Sequence, residues 1–302
     1  MRRILALLNA RAGTLLDSGT DHVKNALSAA LSRRAERVDI RLLKPRYIRP
    51  AIEQGLAADY DTIIVGGGDG SANCAVGVLA GSDKTLGILP FGTVNLLARD
   101  LGMPTEIDAA IAALATAQVR RIDLARVNNR AFHSLCGIGF FSQMARAREE
   151  MRGHPFGRFG GLALAAVRAL RRTGRFTLDM QTDGRAQRVD ALAVLVTNNR
   201  FGTDWRRPRL DEGVLEVHVA EDAGALGMLR ATTNLLAGTW RESPGIRSIT
   251  AREITIARVR RRAWAATDGE LVRERLPLRC AIRPQALNVL MAAPDTPPMP
   301  TN

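Results

Sequence analysis

Cysteine is scarce. The 302 residues hold three, Cys74, Cys136 and Cys280, with no CxxC pair among them. An odd, scattered set argues against a disulfide framework and against a thiolate zinc site, and a reducing, cytoplasmic compartment is the simplest home. The four histidines, His22, His133, His154 and His218, show no metal-ligand spacing. Aromatic residues make up 4% of the chain, too sparse for base-stacking platforms, so nucleic acid is not the expected partner. Long apolar runs are also missing. The nearest approach to the ~20 residues that cross a bilayer is Gly160 to Leu170, which is short and broken by Arg168. Any membrane contact is therefore expected to be peripheral. The opening MRRILALLNA carries an apolar run of five residues and no small-residue cleavage site, so it reads as a buried first strand rather than a signal peptide. Lysine is nearly absent, with three of the 43 basic residues, a bias that a GC-rich genome produces as readily as a binding surface does.

What is present is an ordinary globular composition, 46% hydrophobic and 24% charged, long enough for two domains at ~150 residues each. The net charge of +13 is unevenly spread. Up to Ala125 there are 15 basic and 13 acidic residues, and beyond it 28 and 17, so the second part carries the basic excess. Three clusters supply much of it: Arg171-Arg172-Thr173-Gly174-Arg175, Trp205-Arg206-Arg207-Pro208-Arg209 and Arg258-Val259-Arg260-Arg261-Arg262. Such a field attracts anions, whether phosphorylated substrates or the headgroups of a membrane, although a run of charges is also what any solvated face presents.

The first third alternates short aliphatic runs with helix-compatible segments, the pattern of an α/β domain with a mostly parallel sheet. Strands are expected at Ile4–Leu8, Val38–Leu42, Thr62–Val65 and Leu86–Leu89, and helices at Asp21–Arg34, Arg49–Ala58, Ser71–Ala80, Thr93–Asp100 and Thr105–Ala117. From about Asp123 the pattern turns mainly β, with strands at Phe176–Gln181, Arg188–Thr197, Val214–Val219, Glu253–Ala257 and Leu278–Ile282. Helical insertions are expected at Phe140–Arg152, Gly160–Arg171 and Ala223–Ala237. The expected division is residues 1–125 as a nucleotide-binding α/β domain, 126–293 as a mainly β substrate domain, and 294–302, with four prolines, as a disordered tail.

One segment carries more chemistry than any other. In Ile63-Ile64-Val65-Gly66-Gly67-Gly68-Asp69-Gly70-Ser71-Ala72-Asn73 a buried strand runs into glycines, one acid and then a helix. A turn without Cβ atoms can bring backbone N–H groups up to a phosphate, and the helix adds its N-terminal partial charge. A tight turn that merely needs glycine is the plainer reading. It is neither a Walker loop, since no GxxxxGK[ST] occurs, nor a GxGxxG dinucleotide turn. Asp69 would repel a pyrophosphate unless it served a cation, a ribose or the loop backbone. A second strand-to-turn unit follows in Leu86-Gly87-Ile88-Leu89-Pro90-Phe91-Gly92-Thr93-Val94-Asn95. Two parallel strands ending this way put both turns on the carboxyl edge of the sheet, where open α/β folds bind ligands. Thr93 would serve equally as a helix cap.

The pair GGDGS-x-N and LGILPFGTVNLLARDLGMP resembles the GGDGT-x-N and P-x-GT-x-N-x-x-A-R-x-L-G signatures of the diacylglycerol kinase catalytic-domain family, bacterial soluble lipid kinases related to sphingosine kinases. The likeness continues through Arg121–Val127, Cys136–Phe140, Leu210–Leu215 and Thr267–Glu270. It implies an N-terminal α/β domain like that of NAD kinase, a sandwich-like β domain with added helices, and an active site in the cleft between them. It implies ATP as co-substrate, held by Gly67, Gly68, Asp69, Gly70, Ser71 and Asn73 with Gly92, Thr93 and Asn95, and more loosely by Asn9, whose turn lacks the family's proline. By the same resemblance Glu270 is the base that takes the proton of a lipid hydroxyl, and Asp123, Glu212 and Asp211 are candidate magnesium ligands. Read without the resemblance, Asp268-Gly269-Glu270 is an Asp-Gly hairpin turn with a solvated glutamate.

The sequence departs from the family pattern at Ser71 for Thr, Cys74 for Glu and Leu96 for Asp. The first keeps the hydroxyl, whereas the loss of two acids is the argument for a second possibility, a nucleotide- or lipid-binding sensor that kept the fold without the chemistry. An NAD-kinase-like enzyme is a third, disfavoured by the PxGTxN element. The leading expectation is an ATP- and magnesium-dependent kinase acting on a diacylglycerol-like or sphingoid lipid, held at an anionic membrane surface.

Overall fold

The computed structural model describes residues 3–150, 168–169, 171–202, 206–221, 234 and 245–293. Two compact units divide the chain, one reaching Leu124 and taking back the chain from Pro284, the other spanning Ala125–Arg283.

The first unit runs β1 (Arg3–Asn9), α1 (Gly13–Ser18), α2 (Thr20–Leu31), β2 (Arg37–Leu43), α3 (Pro45–Ala57), β3 (Thr62–Gly67), α4 (Asp69–Leu79), β4 (Thr85–Pro90), α5 (Leu96–Asp100), α6 (Ile107–Thr116) and most of β5 (Gln118–Val127). Its strands are parallel in the order β2-β1-β3-β4. All six residues of β3 and of β4 are buried, as are the five central residues of β1. That is why they read as unbroken apolar runs: helices cover both faces of such a sheet. The helices bury one stripe each, Val23, Leu27 and Leu31 on α2 and Ile48, Ala51, Ile52 and Gly55 on α3. Each buried aliphatic side chain contributes roughly 1.5–3 kcal/mol. Helix α5 is shorter than the expected Thr93–Asp100, because Asn95 takes the left-handed conformation (φ 51°) and the helix starts only at Leu96.

The second unit runs β6 (Arg130–Phe132), β7 (Leu135–Gly139), α7 (Phe140–Glu150), β8 (Phe176–Thr182), β9 (Arg185–Asn198), β10 (Leu215–Glu221), β11 (Ile246–Ala251), β12 (Glu253–Ala257), β13 (Arg262–Thr267), β14 (Glu270–Arg275) and the first part of β15 (Leu278–Met291). Its pairings are antiparallel. Strand β9 is its spine: its first half pairs β8, while its second half lies between β7 and β10. Alternating side chains from nine strands, among them Ile138, Leu178, Val194, Val217, Ile254, Ala265 and Leu278, close one sandwich-like core. Of the expected helical insertions, Phe140–Arg152 corresponds to α7. Nearly all of Gly160–Arg171 and Ala223–Ala237, and the tail from Pro294, lie outside the described residues. No described helix is long and apolar enough to cross a membrane.

Candidate active site

Strand β1 lies between β2 and β3, so the chain turns in opposite directions on leaving β1 and β3, and their carboxyl ends form a switch point of the kind that binds ligands. Gly66 is level with Leu89 and Gly67 with Pro90, so the two glycine turns leave the sheet side by side. They touch. A Cβ on Gly92 would stand 2.5 Å from the Gly68 Cα, and one on Gly68 would stand 3.3 Å from the Gly92 Cα. Only glycine allows this backbone-to-backbone contact. The Phe91 N–H donates to the Gly67 carbonyl at 3.0 Å and fastens the turns together.

Asp69 is the second fastening. Its carboxylate accepts the backbone N–H groups of Asn95 (3.1 Å) and Leu96 (2.7 Å), so its oxygens hold the start of α5. Of the roles open to it from the sequence, the loop backbone is the one on view. Leu96 meets Asp69 through its amide, a contact that its side chain leaves untouched. Asn95 closes its own loop, accepting from the Gly92 N–H (2.9 Å) and donating to the Gly92 carbonyl (2.7 Å). Thr93 is exposed and does not cap α5, whose N-cap residue is Asn95. In α4 the amides of Ser71 and Ala72 turn back to the Gly68 carbonyl (2.9 and 3.2 Å), which leaves those of Asp69 and Gly70 without an acceptor inside the helix. These stand at the positive end of an eleven-residue helix, beside the contact between the turns. Asn73 is half-buried one turn along, and Ser71 packs against the face of Gly67. Asn9, at the end of β1, accepts the Arg11 N–H at 3.0 Å, and its Cβ is 3.6 Å from where a Gly67 Cβ would sit. Thr14, which sequence reasoning passed over, donates its hydroxyl to the Phe91 carbonyl at 3.1 Å and ties the loop after β1 to the second turn. A threonine beside Gly13 is the only signal it offered.

Within the second unit, Glu270 opens β14, exposed, across a two-residue turn from its partner Thr267. Asp268 (φ 46°) and Gly269 (φ 83°) give the turn its left-handed pair, as Asp-Gly predicts. Asp268 does more than turn the chain. It is buried, and its carboxylate accepts three backbone N–H groups, from His133 (2.8 Å), Ser134 (2.9 Å) and Leu135 (2.9 Å), while its own N–H donates to the Leu135 carbonyl at 2.9 Å.

The middle basic cluster divides: Arg206 and Arg209 are exposed, but Arg207 is only 4% exposed and donates to the carbonyls of His133 and Asn198. In the β12–β13 loop, Arg258 lies 4.1 Å over the Phe176 ring, and burial, with Arg260 nearby, pulls its pKa below the ordinary arginine value. Val259 projects fully into solvent beside exposed Arg260, Arg261 and Arg262.

The magnesium candidates already have occupants. Asp123 is buried and accepts the Gln285 N–H at 2.8 Å. Asp211 faces the Arg209 guanidinium at 3.2 Å, and Glu212 accepts the Arg200 N–H at 3.1 Å with that residue's guanidinium at 3.5 Å. Carboxylates neutralised by arginine do not fit a cation as they stand, and among the described residues no cluster of three or more His, Cys, Asp or Glu could hold a metal ion.

Residues 3–127 match the model of the diacylglycerol kinase catalytic domain, and residues 141–291 that of the YegS C-terminal NAD kinase beta sandwich-like domain. The chain belongs to the diacylglycerol kinase catalytic-domain family. Among similar proteins of this family, one from Pseudomonas aeruginosa named "Probable lipid kinase YegS-like" is 33% identical over 197 residues, 60% of this chain and 63% of that one. The diacylglycerol kinase of Staphylococcus saprophyticus is 26% identical over 210 residues, 68% of each. The chain spans about half to two thirds of the length of the curated relatives it matches. A crystal structure of a diacylglycerol kinase from Bacillus anthracis shares the fold, with a TM-score of 0.71 at 18% identity, over 96% of this chain and 97% of that one.

Proposed function

We propose that the protein is an ATP-dependent lipid kinase that moves the γ-phosphate to a hydroxyl of a diacylglycerol-like or sphingoid lipid. The observation that carries this reading is the backbone contact between the two glycine turns, beside the Asp69 and Gly70 amides at the start of α4. Such a cradle suits a phosphate chain, because phosphoryl transfer asks chiefly for positioning and for donors aimed at charge. Gly67, Gly68, Gly70, Ser71 and Asn73 would line it, with Asp69 and Asn95 holding its shape and Asn9 and Thr93 at its margins. Glu270 would accept the proton of the lipid hydroxyl. Magnesium would enter with the nucleotide, and no step is routed through Asp123, Asp211 or Glu212, which already meet the Gln285 amide or a guanidinium.

The basic β12–β13 loop, with Val259 at its tip, would rest on an anionic membrane, where each basic residue near the surface contributes ~1 kcal/mol.

The test is incubation with γ-labelled ATP, magnesium and either a panel of diacylglycerols and sphingoid bases or NAD, followed by separation of the organic and aqueous phases. A labelled lipid is expected, and Glu270→Gln should cut the rate by about 10³-fold with ATP affinity unchanged. ATP binding without a labelled lipid would support the sensor instead, and label appearing on NAD would move the protein to NAD-kinase chemistry.

A further inference from the structure

Arg207 sits in a basic run that reads as surface, yet it is buried in the sandwich unit, and nothing in the mechanism so far uses it. Its guanidinium donates to the His133 carbonyl, which also accepts from the Asn198 side chain at 2.9 Å, and to the Asn198 carbonyl at 3.3 Å. The next atoms along the chain matter. The His133 carbonyl and the Ser134 N–H belong to one peptide group, and that N–H donates to the Asp268 carboxylate. A single buried peptide is thus gripped by a cation at its oxygen and by an anion at its nitrogen, and the neighbouring N–H groups of His133 and Leu135 add to the anion's hold. The His133 ring lies 3.7 Å from the same carboxylate.

Charge-assisted bonds of this kind are about twice as strong as neutral ones and more demanding in geometry. Burying two charges is costly, and an apolar filling serves stability as well or better, so the gain here is a defined position. The part so positioned is the hairpin tip. Asp268 stands two residues before Glu270 in a turn whose length and left-handed pair leave no slack. We propose that Arg207 is a positioning residue for Glu270, acting through the His133–Ser134 peptide and Asp268 to hold the carboxylate where it meets the acceptor hydroxyl. This rests on Glu270 as the base.

The experiment measures lipid phosphorylation for Arg207→Met and Arg207→Lys, each alone and combined with Glu270→Gln. Because small misplacements of a catalytic group are expensive, Arg207→Met should lower kcat about 100-fold with the KM for ATP within about 2-fold, and Arg207→Lys should recover about 10-fold of that loss. In the Glu270→Gln background Arg207→Met should change the residual rate by less than about 2-fold, since a residue acting through Glu270 has nothing left to act on. An equal loss in both backgrounds, or none in either, overturns the proposal. Full activity of Glu270→Gln alone overturns the base assignment instead, so the two failures are separable. Amide exchange provides an arm independent of turnover. Exchange at Ser134 and Leu135 should quicken in Arg207→Met while that of α4 holds, and unchanged protection at both amides sinks the idea. If Arg207→Met does not fold, Arg207→Lys carries both arms, and wild-type kcat with wild-type exchange in that variant is the refuting result.

Discussion

The two units hold their candidate residues with opposite materials. In the first, the candidate cradle is made by the absence of side chains: two glycine turns in backbone contact beside the start of α4. In the second, the candidate base stands on a hairpin tip fixed by buried charged side chains, Asp268 and Arg207, that read as ordinary turn and surface residues. The difference is physical. Phosphate oxygens need close, dense donors, which the backbone supplies if nothing stands in the way, whereas a single carboxylate needs a fixed address, which side-chain charges give to a hairpin that would otherwise sway.

The sharpest way to break this comparison is Gly92→Ala. The added Cβ would overlap the Gly68 backbone at 2.5 Å, where neither turn has a flexible side chain to move aside, so the cradle must open. Nucleotide binding, read by titration with a fluorescent ATP analogue, should weaken about 100-fold. The control is Gly77→Ala on the exposed side of α4, whose Cβ would meet nothing nearer than an Arg49 nitrogen at 4.0 Å. It should leave affinity unchanged and stabilise the helix by ~1 kcal/mol. Equal behaviour of the two variants would mean that the contact between the turns does not matter for binding.

A middle-sized effect belongs to the basic surface of the second unit. Reversing two charges in the β12–β13 loop, Arg260→Glu with Arg261→Glu, removes two attractions of ~1 kcal/mol each and adds repulsion, so partition onto phosphatidylglycerol vesicles should fall at least about 30-fold at low salt. Arg258 is a poor choice for this test, because its guanidinium is committed to the Phe176 ring. Binding that persists in the double variant would assign the membrane contact to another face.

The same contrast explains what the sequence disclosed. Strands β1, β3 and β4 were legible because strands buried on both faces must be continuous apolar runs. The glycine turns were legible because no other residue permits such contact. Strands β13 and β14 were not legible: Arg262–Thr267 is short with few β-branched residues, Glu270–Arg275 is short and charged, and they owe their place to pairing with β7 and with each other. Strand β15 was foreseen only to Ile282 because Arg283-Pro284-Gln285 interrupts its pattern, yet the strand continues to Met291 and lies beside β4. Arg207 was invisible for a simpler reason: a buried arginine and a solvated one look alike in a row of letters. Asp268 was seen as a turn residue but not as an acceptor of three amides, since its donors lie more than 130 positions away.

The smallest effect probes whether side-chain charge matters in the first unit at all. At the outer strand β2, the Tyr60 hydroxyl donates to the Asp39 carboxylate, and Arg37 pairs with it at 2.9 Å. The tyrosine's hydrogen bond, with Arg37 assisting against partial burial, holds Asp39 below the ordinary carboxylate range and raises Tyr60 above the ordinary phenol value. A depressed carboxylate stabilises the fold above its unfolded pKa of about 3.9 and loses that contribution as pH falls through the lower folded value. Tyr60→Phe should therefore cost ~1 kcal/mol at pH 7, discounted for the solvent access of the pair, and the penalty should shrink as the pH drops below about 4. Urea midpoints at pH 7 and pH 3 give the comparison. A penalty of the same size at both would mean that the hydroxyl acts through packing. One that fades with acid would show that the first unit keeps its charge coupling at an outer strand, well away from the cradle it leaves to the backbone.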